Sequence, residues 1–340
     1  MVRAPGRYRI GWGTALRSFL GLVLSQKYSP HEVLMLGLLD PSSLVREPMF
    51  VSKERLLSTQ SRINPRNCFP YTEDKLVFFQ RCIDNVLATP RVFAAFCQGR
   101  VLPNAVPVIT RSPELLALMA EGAPRDFVFK PASGVHGRGV LLLRFEGATF
   151  STPDGSLYDA DALLAHAKRS VYRDWLFQER LLPHRDLVEL SGTHYLQTAR
   201  VVSYLDPTGC VRVLFAWLRI IAGNTAFDNF NFGASGNLVG TIDVATGQLK
   251  HVLSAAPDGL GLIELACHPR TGRPFAGFSV PYMPETHDLV TRAAHAFAPL
   301  RTVGWDVAIT DDGPSLVEGN VTWDPLPTRD DLLGIVRSLK

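Results

Sequence analysis

Two runs rich in β-branched, aliphatic and aromatic residues, Tyr195 to Leu205 and Cys210 to Ile221, are separated only by Asp206-Pro207-Thr208-Gly209. Proline and glycine in so short a connection reverse the chain, so the runs form an antiparallel hairpin. A second hairpin pattern follows near the C-terminus, where Val303 to Ile309 and Ser315 to Asn320 flank Asp311-Asp312-Gly313-Pro314. Strands of this kind, mixed with helices but without regular βαβ alternation, favour an α+β fold over a doubly wound sheet.

The helical signals are local. Ser29-Pro30-His31-Glu32 combines a capping hydroxyl, an early proline and a glutamate three residues after the cap, opening a helix over His31 to Leu39 that Pro41 stops. A second helix is expected from Thr72, with Glu73 and Asp74 in its first turn and Leu76, Phe79, Ile83 and Val86 as its apolar stripe. Pro90 to Val101 reads as strand, and Leu102 to Pro107 as a boundary. Ser112-Pro113-Glu114 starts another helix; Phe127 to Phe129, Val140 to Phe145 and Trp175 to Glu179 read as strands, and Asp159 to Ser170, Thr286 to Ala298 and Asp330 to Leu339 as helices. Ala222 to Asn237, rich in Gly, Asn and aromatic residues, is too long for a simple connection and is a candidate functional loop.

Length and charge narrow the class. With 340 residues the chain has room for about two domains. Its 35 basic and 32 acidic side chains nearly cancel, so composition gives no argument for nucleic-acid binding, and any phosphate site must be local. The five cysteines contain no CxxC pair, which suggests neither a disulfide framework nor a zinc cluster and fits a reducing cytoplasm. Arg3, Arg7, Arg9 and Arg17 accompany the short apolar run Phe19 to Leu24, too short for a signal peptide or a membrane span. It reads as the amphipathic lead into a first helix, either part of an ordinary core or a peripheral membrane contact.

Two constellations carry chemistry. In Lys130-Pro131-Ala132-Ser133-Gly134-Val135-His136-Gly137-Arg138-Gly139-Val140, three glycines allow close approach of backbone amides to an anion. The lysine precedes the loop and a strand follows it, so this is not a Walker A motif. A hairpin folding over nucleotide phosphates above Lys130 and a ligand-free exposed hairpin both fit. In the C-terminal hairpin, Asp306, Glu318 and Asn320 share one parity while Val303, Trp305, Val307, Ile309, Val317 and Val321 share the other. A fold centred on Asp312 would set Asp306 opposite Glu318, and two carboxylates with an amide suit magnesium better than a solvated acidic strand face. Arg219 shares parity with Val211, Val213, Phe215 and Trp217, so it either binds a substrate anion, forms a structural ion pair, or marks a register change at a bulge.

Together these motifs resemble the ATP-grasp superfamily. Phe177-Gln178-Glu179-Arg180-Leu181 resembles its hinge strand, Asp186 matches the acidic residue that holds the ribose, and Thr198-Ala199-Arg200 resembles the strand that carries an arginine toward the transferring phosphate. The order of Gln178 through Arg200, Asp228-Asn229, Asp243-Val244-Ala245-Thr246-Gly247, His268-Pro269-Arg270-Thr271-Gly272 and Gly304-Trp305-Asp306 to Asn320 is similar to that of the sugar-transfer-associated ATP-grasp proteins.

The resemblance implies two α+β lobes gripping ATP between antiparallel sheets, with a mainly helical N-terminal region. On that pattern residues 1–105 are the N-terminal region, 106–185 the small lobe and 186–340 the C-terminal lobe. ATP would meet Lys75, Lys130, Ser133, Gly134, Gly137, Arg138, Gly139, Gln178, Glu179, Leu181 and Asp186. For Lys75 the alternative is an ordinary exposed helix lysine. Asp306, Glu318 and Asn320 would hold Mg2+, Arg200, Lys130 and Arg219 would serve catalysis, and Arg219, Asp228 and Asn229 would meet substrate. The implied reaction activates a small-molecule carboxylate as an acyl phosphate for capture by an amine, a thiol or a hydroxyl. A kinase acting on a hydroxyl group would need the same cationic clamp.

Overall fold

The computed structural model describes residues 11–40, 43, 50–97, 99, 102, 106–134, 137–325 and 332–339. Contacts divide the chain into two compact units. The larger comprises Met1–Phe69, Pro183–Pro314 and Asn320–Lys340, and the smaller comprises Pro70–Leu182 with Ser315–Gly319. The boundaries expected after residues 105 and 185 are not those of this division, which assigns residues 1–69 to the larger unit and 70–105 to the smaller.

The chain begins in the larger unit with α1 (Trp12–Leu20), a single π turn, α2 (Pro30–Met35) and α3 (Lys53–Ile63). Ser29 and Glu32 form the expected capping box on α2, which ends at Met35 rather than at Leu39, before a turn containing Gly37 at φ +66°. The expected stop at Pro41 lies outside the described residues.

The smaller unit follows: α4 (Pro70–Glu73), α5 (Lys75–Asp84), β1 (Val92–Phe96), α6 (Ser112–Ala120), β2 (Asp126–Pro131), β3 (Leu141–Glu146), β4 (Thr149–Ser151), β5 (Leu157–Tyr158), α7 (Ala160–Arg169) and β6 (Trp175–Glu179). Its six strands are ordered β1-β6-β2-β3-β4-β5 and pair antiparallel. Their core is rich in aromatic rings: Phe129 stacks on Trp175 with ring centroids 4.7 Å apart, and Phe127, Phe150 and Phe177 belong to the same cluster. Each such ring contributes roughly 1.5–3 kcal/mol by burial. The helix expected from Thr72 starts later, because the Asp74 carboxylate accepts from the backbone N–H groups of Leu76 and Val77 and so caps α5 at Lys75. Its buried face is Leu76, Phe78, Phe79 and Cys82, whereas Ile83 and Val86 are exposed.

After β6 come α8 (Arg185–Ser191), β7 (Thr198–Leu205), β8 (Val211–Ile220), β9 (Leu238–Ile242), β10 (Leu249–Ala255), β11 (Leu262–Glu264), α9 (Met283–Ala296), β12 (Thr302–Thr310), β13 (Gly313–Asn320) and α10 (Leu332–Arg337), all in the larger unit but for Ser315–Gly319 of β13. The seven-stranded sheet runs β11-β10-β9-β8-β7-β12-β13. One face meets α9, where Phe297 just beyond the helix stands edge-on to Trp305 at 5.1 Å. On the other, Val202, Phe215, Trp217 and Val239 pack with Leu22, Val33, Leu36 and Leu56 of the N-terminal helical segment and with Trp323. That packing is why residues 1–69 belong to this unit.

Candidate active site

In the smaller unit, β2 delivers Lys130 to a site that is 6% exposed. Burial pushes its ammonium down to about 8, the neighbouring Lys75 charge pushes the same way, and Glu318 opposes both. Lys75 donates from Nζ to the Gly134 carbonyl at 2.7 Å and lies 4.0 Å from a Glu318 carboxylate oxygen. Two cations thus share one carboxylate beside the Gly-rich turn. Gly139 sits at φ +76°, which strains any other residue, and a Cβ there would press on Pro131 at 3.1 Å and on Trp175 at 3.3 Å. Ser133 and Arg138 are exposed, Gly137 is half-buried, and Val135 and His136 lie outside the described residues.

The hinge-like residues of β6 are tied to backbone. Gln178 is buried and donates to the Pro90 carbonyl at 3.0 Å, while Glu179 accepts from the Arg91 N–H at 2.7 Å. Leu181 is half-buried.

In the larger unit, Asp306 pairs with Arg200 across β12 and β7, and Arg200 pairs with Trp217 across β7 and β8, which puts all three on one sheet face. Arg200 grips Asp306 with two donors, Nε to Oδ1 and Nη2 to Oδ2, the latter at 2.8 Å. Arg219 donates to the same Oδ2 at 3.2 Å and stands 3.6 Å from Asp228 Oδ1. Asp228 Oδ2 accepts from the Thr198 backbone N–H at 2.8 Å and from its hydroxyl. Burial raises the Asp228 carboxyl, with Asp306 adding to the rise and Arg219 and Thr198 opposing it. The result is an alternation of two guanidiniums and two carboxylates, buried at Arg200 and Asp306 and partly buried at Arg219 and Asp228.

Arg219 therefore sits in an ion-pair network, and a bulge also occurs: pairing shifts between Val202 and Ser203, so Phe215 faces Val202 but Val213 faces Ser203. Leu214 is the extra residue, which takes Val211 and Val213 off the parity expected from the sequence.

The long loop is fastened by a residue the sequence reading passed over. Asn237, fully buried, accepts from the N–H groups of Ala222 and Gly223 and donates to the carbonyls of Phe227 and Asn229. The His268–Gly272 motif braces the same corner. His268 accepts at Nδ1 from Arg270 N–H, which places its ring proton on Nε2, facing the Ile221 carbonyl, and Arg270 donates to the Ala222 and Gly223 carbonyls. Burial lowers this histidine's pKa. An Asn between two glycine-rich stretches is the only sequence signal for the fastening.

Asp186 is half-exposed in the first turn of α8, 3.7 Å from His184. Asn320 donates from Nδ2 to the Gly304 carbonyl at 3.2 Å. Asp311 and Asp312 form the turn between β12 and β13 in the last hairpin. Among the described residues no group of three or more His, Cys, Asp or Glu side chains could hold a metal; the expected set has two carboxylates and one amide.

A lysine-bearing strand before a glycine-rich turn, a separate antiparallel sheet carrying the arginine and carboxylate pair, and a terminal β hairpin define an ATP-grasp fold. The chain belongs to the sugar-transfer associated ATP-grasp family, whose model matches residues 55–328. Similar solved structures include an ADP complex of N5-carboxyaminoimidazole ribonucleotide synthetase, at 12% identity over 83% of this chain and 53% of that one with a TM-score of 0.43. A biotin carboxylase from Campylobacter jejuni has 10% identity over 81% and 45%, TM-score 0.46. D-alanyl-alanine synthetase A from Vibrio cholerae has 12% identity over 81% and 67%, TM-score 0.43. This chain spans about half the length of the first two. Comparison with curated protein sequences finds no match.

Proposed function

We propose that the protein is an ATP- and Mg2+-dependent ligase that activates a carboxylate as an acyl phosphate and joins it to an amine, thiol or hydroxyl, on a small metabolite or a saccharide-linked acid. The observation that carries this reading is the pair of buried Lys130 and partly buried Lys75, set against the carboxylate of Glu318 beside the Gly-rich turn. A desolvated surplus of positive charge is costly unless an anion completes it, and a polyphosphate beside flexible backbone amides is the matching anion.

Asp306, Glu318 and Asn320 offer hard oxygen donors of the type Mg2+ takes, and Asn320 uses its Nδ2 on Gly304, leaving Oδ1 as the donor for a metal. Asp306 is already countered by Arg200 and Arg219, so it would join such a set by yielding one oxygen. The bound ion would neutralise charge on the phosphates. Lys130 and Lys75 would hold the phosphates, and Arg200 would meet the charge that develops as the γ-phosphoryl group passes to the substrate carboxylate and ADP departs. The nucleophile then attacks the acyl carbon, loses its proton and expels phosphate. Arg219, oriented by Asp228, would hold the substrate anion.

The test incubates the protein with ATP, magnesium, a panel of carboxylic acids and hydroxylamine. Hydroxamate and ADP are expected. ADP with a phosphorylated alcohol and no hydroxamate would replace the ligase by a kinase, and absence of nucleotide binding by calorimetry would overturn both.

A further inference from the structure

The N-terminal helix shows two unlike sides. Phe19 and Val23 pack against the core cluster of the larger unit and Leu22 is buried in it. Outward, Trp12, Leu16 and Leu20 recur every fourth residue and are 62%, 60% and 44% exposed, with Leu24 beyond them at 66%. Residues four apart lie on one helical face, so these side chains form an apolar stripe fixed to the body of the protein and left exposed by the described residues.

The sequence that carries this helix has charge of one sign only. The first acidic residue in the sequence is Glu32; before it stand Arg3, Arg7, Arg9, Arg17 and Lys27. A second copy of this surface would bring like charges together, which opposes self-association through it. An anionic surface with an apolar interior satisfies both halves of the pattern. A tryptophan at one end of the stripe suits the headgroup boundary. No helix among the described residues is long and apolar enough to cross a membrane.

We propose that α1 and the turn after it dock the protein onto an anionic lipid surface, lying in the interface with Trp12, Leu16, Leu20 and Leu24 immersed and Arg17 and Lys27 on the headgroups. The proposal is independent of the ligase reading.

Tryptophan fluorescence isolates the site, because Trp175, Trp217, Trp305 and Trp323 are at most 1% exposed while Trp12 is open to solvent. The full chain is mixed with phosphatidylcholine vesicles with and without phosphatidylglycerol. Expected results are cosedimentation with the anionic vesicles only, a blue shift, and loss of iodide quenching, all reversed by added salt. Leu16→Glu with Leu20→Glu should weaken partitioning about tenfold or more with an unchanged circular-dichroism spectrum. Arg17→Glu with Lys27→Glu, at exposed positions outside the stripe, should do likewise and serves if the first pair misfolds. No partitioning at low salt, or equal partitioning of both variants, overturns the proposal. A dimer that forms without lipid and is lost in the leucine variant also overturns it, by assigning the stripe to a second copy.

Discussion

Lys75 is the first residue of α5, and its ammonium bonds the Gly134 carbonyl while its own backbone N–H bonds the Ala132 carbonyl. One residue thus holds both sides of the start of the Gly-rich turn. Lys75→Met keeps the Asp74 cap but removes the side-chain bond. Stability should fall by about 1–2 kcal/mol, and amide exchange should quicken at Ser133 and Gly134. Nucleotide affinity should fall with it in calorimetry; unchanged exchange and affinity would reduce Lys75 to a surface lysine.

The Asp306 carboxylate answers two arginines. Asp306→Asn removes the carboxylate that Arg200 and Arg219 share, with Asp228 still beside Arg219, and should cost about 3 kcal/mol in urea unfolding as well as abolish turnover. Adding Arg200→Met should recover much of the stability but none of the activity. A double variant no more stable than the single one would show that the two residues are not coupled.

Lys130 titrates near 8 in the folded protein against 10.5 for a free lysine. Its folded value is the lower one, so the unfolded chain binds more protons between these values, and the penalty for burying the charge fades as pH rises through that window. Relative to Lys130→Met, the wild type should therefore gain stability from about pH 8 upward, whereas its nucleotide affinity should fall over the same range as the ammonium is lost. Flat nucleotide affinity between about pH 7 and about pH 9.5 would remove Lys130 from phosphate binding.

Asn64, 2% exposed at the end of α3, donates to the carbonyls of Thr302 and Val321 and accepts from the N–H groups of Arg301 and Thr302. Asn64→Ala orphans these backbone groups and should cost about 2–4 kcal/mol. A loss below about 0.5 kcal/mol by chemical denaturation would mean that water replaces the amide.

Both hairpins were legible because alternation and turn residues are local properties of the chain, and the Trp175–Glu179 strand matched to the residue. Contacts set by register were not. Nothing in the sequence places Arg200 opposite Asp306, since that depends on how β7 and β12 align across a hundred residues of intervening chain. Parity along β8 misplaced Val211 and Val213 because a bulge leaves no mark where a leucine fits either register. The sequence pattern starts this helix at Thr72, three residues before α5, because Asp74 suits a first turn as well as a cap. Asn64 and Asn237 were invisible for a related reason: a buried amide that staples distant backbone looks in sequence like any loop asparagine.

Ser315–Gly319 belongs to the smaller unit, and the chain on either side of it belongs to the larger. During synthesis the smaller unit's main stretch, through Leu182, leaves the ribosome long before this short piece arrives, and the piece carries Glu318. Lys75 and Lys130 are thus made without their carboxylate. A smaller unit that folds before Glu318 is made holds Lys75 and Lys130 without that carboxylate, and a fragment ending at Leu182 would hold them so permanently.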